Sequence, residues 1–277
     1  MEPRAAVVEI LSRVLAALPP RMAIRVGRWA GRHFLRRFLK PHIIRENQRN
    51  AFGHDDPALL ATVLESFGGI AASIPHLRNI LEGRRGASLT VLGAENLPPG
   101  ATIFVGAHVK NWEVGTLAMV KAARPALFVY SALSRPWADA LLQRLRCAAA
   151  DSLAFVEKDK ALRACITHLQ NGGSLGLVID QRTDSGHHVE FFGRKARFTH
   201  MPARLALRFN CPIIPLQGVG DDADAQFVVR FLQPILPQGK TELQITREMA
   251  GAIEGIIAQD PGECFCNKRR WPKEKKK

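Results

Sequence analysis

The chain begins with two helical patterns and then changes period. Val7, Ile10, Leu11, Val14 and Leu18 recur at mostly three- and four-residue steps, which predicts a helix over 4–18 that Pro19-Pro20 ends. A second helix is predicted over about 21–39. It carries Arg21, Arg25, Arg28, Arg32 and Arg36 on one face and Val26, Trp29, Ala30, Phe34 and Phe38 on another. A short helical segment with Asn47 and Asn50 follows Pro41. After a turn from Gly53 to Pro57, Asp56 is placed to cap a helix running to about Leu81. From Ser88 onward short apolar runs take over, at 88–92, 102–107, 126–131, 153–156, 174–179, 213–219 and 226–231. Helical stretches near 112–123, 135–148, 158–170 and 201–209 separate most of them, and a final helix covers about 241–258. This alternation predicts an α/β fold, a largely parallel central sheet flanked by helices. The expected organisation is amphipathic membrane-associating helices over 1–50, an α/β domain over 51–267 and a basic tail over 268–277.

Composition narrows the class. With 277 residues, 47% hydrophobic and 23% charged, the chain can bury a substantial core and is not a disordered sequence. Five scattered cysteines make no disulfide scaffold. The longest stretch free of Asp, Glu, Lys and Arg, 164–179, has 16 residues, short of the roughly 20 a spanning helix needs. Nor does the first segment read as a signal peptide, so a soluble or surface-bound protein facing the cytoplasm is expected. The formal net charge is +14. Residues 1–50 hold 11 Lys+Arg against 3 Asp+Glu, hence +8, and residues 268–277 hold 7 against 1, hence +6, so the body between them is neutral. A neutral body with a single Tyr argues against a nucleic-acid binder, which would need stacking aromatics on a basic face. Basic ends suit an anionic membrane. The helix over 21–39 fits either an interfacial element or one packed on its own domain with a solvated basic face. The G-x-x-x-G formed by Gly27 and Gly31 carries little weight outside a long apolar helix.

The chemistry-bearing residues gather where strands end, since parallel α/β sheets place reacting groups at the carboxyl edge. The run Ala101 to Ala107 delivers His108 there, and Asn111, Trp112 and Glu113 open the next helix. On one continuous helix His108 and Glu113 would lie about 140° apart. A strand-to-helix turn between them instead lets Glu113 reach back toward the imidazole. It would fix one ring nitrogen as N–H and leave the other as a proton acceptor. Such a dyad activates an alcohol for attack on an acyl carbonyl without a nucleophilic side chain. Asp180 and Gln181 end the run 174–179 and face the same edge, either as direct participants or as loop-fixing hydrogen bonders. No metal-ligand spacing recurs around His187-His188 or Cys264-x-Cys266, so no metal site is expected. Phe191-Phe192-Gly193 either packs the core or lines an acyl groove.

Gly106 to Glu113, Gly-Ala-His-Val-Lys-Asn-Trp-Glu, resembles the H-x-x-x-x-(D/E) motif of the lysophospholipid acyltransferase superfamily. More narrowly it resembles the H-x-G-N-W-E form of the late lipid A acyltransferases. Asp180-Gln181, Gly186 to Gly193, Ala196 and Thr199 are similar to that family's D-Q…G-x-x-V-x-F-F-G…A-x-x-T block. Ala203 to Pro215, Asn47 to Phe52 and Lys268 to Trp271 are similar to further blocks in the same order. Lys110 stands where the family has glycine, and amphipathic helices stand in place of its N-terminal anchor. The resemblance implies an O-acyltransferase that takes a fatty acyl chain from an acyl carrier protein thioester to a hydroxyl of a lipid A precursor. It implies no cofactor, and a place at the cytoplasmic face of the bacterial inner membrane. His108 would be the general base and Glu113 its orienting carboxylate. Lys110 and Asn111 would hold phosphate or the oxyanion. Arg146, with Arg144 competing, would meet the acceptor's anionic head group, and Asp180 and Gln181 would line the substrate site. Relatives with the same motif acylate other glycolipids or phospholipids, so another acceptor is the alternative reading. A basic membrane-binding protein without catalysis is a further one.

Overall fold

The computed structural model describes residues 2–122, 124–265 and 267–272. Three helices come first, α1 (Pro3–Ala17), α2 (Pro20–Phe34) and α3 (Pro41–Phe52), each with proline at its start, where the missing N–H costs nothing. Then α4 (Pro57–Ser73), capped by Asp56, leads through a 3-10 turn into α5 (Leu77–Glu82). The α/β alternation follows: β1 (Ser88–Leu92), β2 (Ile103–Gly106), α6 (Trp112–Lys121), β3 (Ala126–Tyr130), α7 (Pro136–Cys147) and β4 (Leu153–Glu157). It continues with α8 (Ala161–Gln170), β5 (Ser174–Val178), β6 (His187–Phe191), β7 (Arg194–Phe198) and α9 (Met201–Phe209). Last come β8 (Ile213–Val219), β9 (Gln226–Phe231) and α10 (Glu242–Gln259).

Seven strands form one sheet in the order β1-β9-β8-β2-β5-β3-β4, parallel throughout except between β8 and β9. Because the strands are covered on both sides, alternate residues serve two cores. Ile103, Val105, Leu175, Leu177 and Ile213 face a layer made by α8, α9 and α10. Phe104, Phe128 and Ile214 face α5 and α6 on the other side. The expected α/β sheet with flanking helices is present. An additional antiparallel hairpin, β6–β7, lies outside the expected strands. Its two-residue turn is Phe192 (φ +52°) and Gly193 (φ +65°), the left-handed pair that a twisted hairpin demands.

The first helices correct one expectation. Gly27 and Gly31 are the seam on which α2 crosses α4: a Cβ at Gly68 would collide with the Gly27 carbonyl oxygen and come within 2.8 Å of the Gly31 Cα. The G-x-x-x-G is therefore a packing device here, and Ala23 and Ile24 are buried beside it. Four arginines of the stripe reach acidic partners on the protein, Arg28 largely covered and the other three more than half exposed. Arg21 and Arg25 pair with Asp224 at 2.8 Å, and Arg28 and Arg32 with Glu65 at 3.2 Å. The apolar stripe is outward as well, with Val26, Trp29 and Phe34 of α2 and Phe38 in the turn after it each 46% exposed or more. Within the run Pro57–Glu82 an 18-residue stretch has a mean hydropathy of 1.5, so by length and composition the run could cross a membrane, an exception to the sequence expectation. Half of its apolar window is buried inside the fold, as befits the helix on which α2 packs.

The end of the chain also folds back. Asn47 of α3 donates to the Lys268 carbonyl at 2.8 Å and accepts from the Arg270 N–H at 3.0 Å. Arg270 lies 4.2 Å above the Phe198 ring, and Trp271 is buried. Of the basic tail, Lys268 to Trp271 thus belong to the globule, while Lys273 to Lys277 lie outside the described residues, as does Cys266.

Candidate active site

Register sets the site. Neighbouring parallel strands β2 and β5 pair Gly106 with Val178, and the Ile179 N–H reaches the Gly106 carbonyl at 2.9 Å. Two residues beyond each partner stand His108 and Asp180, so the two side chains emerge side by side at the carboxyl edge. His108 Nδ1 lies 2.7 Å from Asp180 Oδ1. Asp180 is 1% exposed at its side chain, whereas the imidazole is 21% exposed and so open to a substrate. Burial pushes the Asp180 carboxyl up, but the charge and hydrogen bond of His108, its backbone and the charge of Arg270 together hold it below the ordinary carboxylate range. An ionised carboxylate at that distance fixes Nδ1 as the protonated nitrogen and leaves Nε2 with a lone pair. Gln181 Nε2 stands 3.5 Å from that Nε2, at the outer limit of a hydrogen bond.

The loop between β2 and α6 is strapped in place by the chain's last segment. The Phe265 N–H donates to the His108 carbonyl at 2.7 Å and the Lys110 N–H to the Glu263 carbonyl at 3.1 Å, with Val109 bridged to Cys264. Trp112 packs edge-on to the imidazole, ring centres 5.0 Å apart, and also stacks with the rings of Phe67 and Phe265. These contacts hold the imidazole plane by packing as well as by its hydrogen bond.

Glu113 occupies a different place from the one expected. It sits in the first turn of α6, 3% exposed, and receives Arg146 Nε at 2.8 Å and a second contact from the same guanidinium. The Trp112 indole N–H also donates to it at 3.1 Å. The carboxylate against His108 is Asp180, because β5 and not α6 runs alongside β2 at this level. Glu113 acts one step behind, holding Trp112, which in turn packs on His108.

The remaining expected residues are placed as follows. Arg146, 12% exposed at its side chain, is committed to Glu113 and stacked 5.3 Å over Phe155, so its guanidinium is not presented to a head group. Arg144 reaches Glu9 of α1 at 2.6 Å. Lys110 has a left-handed backbone (φ +50°), which explains a glycine at this position in the family pattern. Its ammonium turns inward to the Gly220 carbonyl at 2.8 Å and Asp260 at 3.2 Å. Asn111 is buried and donates to Ser73 Oγ at 2.8 Å. Neither side chain faces the open edge of the imidazole. His108, Asp180 and Gln181 are brought together; Lys110, Asn111, Glu113 and Arg146 support the loop from behind. Behind Asp180 lies a small cavity of about 20 Å³, lined by Phe52, Phe191, Phe192, Ile257 and Trp271 with Gln48. The Phe191-Phe192 turn therefore closes the protein side of Asp180.

Residues 3–273 match the family model described as bacterial lipid A biosynthesis acyltransferase, a family that is membrane-associated in general. No curated protein matches. Among solved structures the chain is similar to the crystal structure of a 1-acyl-sn-glycerophosphate acyltransferase from Thermotoga maritima. The identity is 15% and the TM-score 0.42, over 91% of this chain and 100% of that one. That likeness is too slight to bear on the substrate or the site.

Proposed function

The chain belongs to the bacterial lipid A biosynthesis acyltransferase family, and from that premise we propose that it moves a fatty acyl chain from an acyl carrier protein thioester to a hydroxyl of a lipid A precursor. The observation that carries the reading is the His108–Asp180 pair at the carboxyl edge of β2 and β5, 2.7 Å apart through Nδ1, with the imidazole 21% exposed and Nε2 left free of the carboxylate. Deprotonating an alcohol as it attacks a thioester needs a base with one nitrogen fixed and the other accessible. His108 Nε2 takes the hydroxyl proton while the alcohol oxygen bonds to the carbonyl carbon. The tetrahedral intermediate collapses with loss of the thiolate, which takes that proton from the imidazolium. An ester and a free thiol result, and the enzyme returns to its starting state. Asp180 stabilises the imidazolium at the moment it forms, and its own charge is kept ready, against the cost of burial, by His108 and Arg270.

The acceptor is a membrane lipid, and the apolar side chains of the first helices support a peripheral seat on the bilayer. Ten large apolar residues of α1, α2 and the turn after it are exposed: Val7, Val8, Ile10, Leu11, Val14, Met22, Val26, Trp29, Phe34 and Phe38. Among the described residues only five other large apolar side chains are exposed, and they are scattered from Leu92 to Leu236. An apolar ridge confined to one end of the chain, beside basic residues, suits an interface of acyl chains and anionic head groups. The test is lipid mass spectrometry of cells with and without the gene. Loss of one fatty acyl group from lipid A supports the reading. An unchanged lipid A with a changed second lipid moves the acceptor to that lipid, and no change in any lipid overturns the proposal.

A further inference from the structure

Away from the His108 edge, three segments distant in sequence bring metal-ligating atoms to one point. His187 opens β6, His200 precedes the first residue of α9, and Glu242 is the first residue of α10. Glu242 Oε1 lies 2.8 Å from His187 Nε2 and 3.4 Å from His200 Nδ1. All three ligand atoms fall within 4.8 Å of one another. Donors around a tetrahedral zinc ion, at bond lengths of 2.0–2.1 Å, stand about 3.3 Å apart, so small side-chain rotations convert this arrangement into a chelate. The second carboxylate oxygen of Glu242 is held by Arg204 Nε at 3.1 Å. That outer contact aims Oε1 inward, as outer partners of metal-bound carboxylates do. The Arg204 side chain is 61% exposed, so its charge is screened by water and does little to repel a cation.

We propose that His187, His200 and Glu242 bind a divalent transition-metal ion, zinc by preference, with water in the remaining position. Two imidazoles and one carboxylate are the donor set of this borderline-soft ion rather than of calcium or magnesium, which prefer oxygen. The three side chains are between 24% and 34% exposed, which leaves an entry path from solvent. The ion would be a clasp. It ties the β6–β7 hairpin to the starts of α9 and α10, and so fixes the segment leading from Gln181, beside the imidazole, into β6. No step of acyl transfer passes through it.

The full-length protein, stripped with a chelator and desalted, is titrated with zinc alone by calorimetry, and with cobalt(II) by absorption. One equivalent of zinc should bind, cobalt should give the intense visible bands of a low-coordinate site, and zinc should raise the unfolding temperature. His187→Ala and His200→Ala should each weaken zinc binding by at least about 10-fold, the range seen even for outer partners. Glu242→Gln, which keeps the shape and a hydrogen-bonding oxygen, guards against loss of folding in the alanine variants. Cys147→Ala, at an exposed thiol remote in sequence, should bind as wild type. Absence of saturable binding overturns the proposal, as does equal binding by wild type, Glu242→Gln and the double histidine variant.

Discussion

Replacing Asp180 by Asn tests which carboxylate serves the imidazole. The substitution keeps size and a hydrogen-bonding oxygen but removes the charge 2.7 Å from His108 Nδ1. When the base takes a proton the imidazolium and Asp180 form an ion pair, with charge centres about 4 Å apart. At an effective dielectric of about 20 that attraction is about 4 kcal/mol. Part of it is recovered by the amide dipole and by water, so a loss of roughly 10²–10³ in kcat is expected, at about 1.4 kcal/mol per decade. Because the charge matters only once the proton has moved, KM for the acceptor should change little. Glu113→Gln provides the contrast. It leaves the Arg146 guanidinium, 12% exposed, without its bidentate partner, and breaking a buried pair from one side costs about 3–5 kcal/mol of stability. Its main effect should therefore be a lower unfolding midpoint, with turnover per folded molecule less affected than in Asp180→Asn. Both variants are assayed for acyl transfer at 20 °C, with the folded fraction measured by circular dichroism. A fully folded Glu113→Gln that loses 100-fold while Asp180→Asn stays near wild type would refute this assignment. It would return the orienting role to Glu113.

Gly68→Ala forces a Cβ onto the Gly27 carbonyl in the α2–α4 seam. The overpacking, about 1–3 kcal/mol or more, should exceed the helix-propensity gain of about 1 kcal/mol and lower the urea midpoint. Gly251→Ala in α10, where nothing lies within 4 Å, should raise it by up to about 1 kcal/mol, and the opposite order would refute the seam. Burial and the nearby Glu263 push the Asp222 carboxyl up from 3.8 to about 6, despite Lys110 and Arg28. The folded state therefore binds this proton more tightly than the unfolded chain. Its ionised form costs on the order of 3 kcal/mol above pH 6, and the cost fades as pH falls from about 6 toward 4. Asp222→Asn should accordingly stabilise the protein at pH 7.5 and lose that advantage near pH 4, as urea midpoints at the two pH values will show. Trp29→Ser with Phe34→Ser should leave folding intact, since both side chains are exposed, yet weaken sedimentation with anionic vesicles by roughly 10–100-fold. Unchanged sedimentation would mean that the α2 ridge does not meet the membrane.

The sheet strands and most helices were legible because burial on both faces writes near-continuous apolar runs, as in Ile103 to Val105, and amphipathic helices write a three-to-four period. The β6–β7 hairpin was not, since its turn puts a phenylalanine at a left-handed position where Asn or Asp would have signalled it. His108 and Asp180 could each be placed at a strand end from sequence. That they meet depends on β5 lying next to β2, and strand order is written nowhere in local pattern. Glu113, five residues from His108, was the nearer carboxylate along the chain but not across the sheet. The α2–α4 seam was hidden for a similar reason: Gly27 and Gly31 acquire meaning only opposite Gly68. Neither did any spacing announce His187, His200 and Glu242, which three separate elements assemble. Local chemistry was readable throughout, while pairings across the fold required the topology.

The central claim is that His108 is the base of an acyl transfer to a lipid hydroxyl. The most direct measurement is single-turnover transfer from a fatty acyl carrier protein thioester to a lipid A precursor in mixed micelles, comparing wild type with folded His108→Ala. Ester formation should be rapid in wild type and lowered by about 10²–10⁴ in the variant, with acceptor binding retained. Transfer by His108→Ala at a rate near that of wild type would contradict the account.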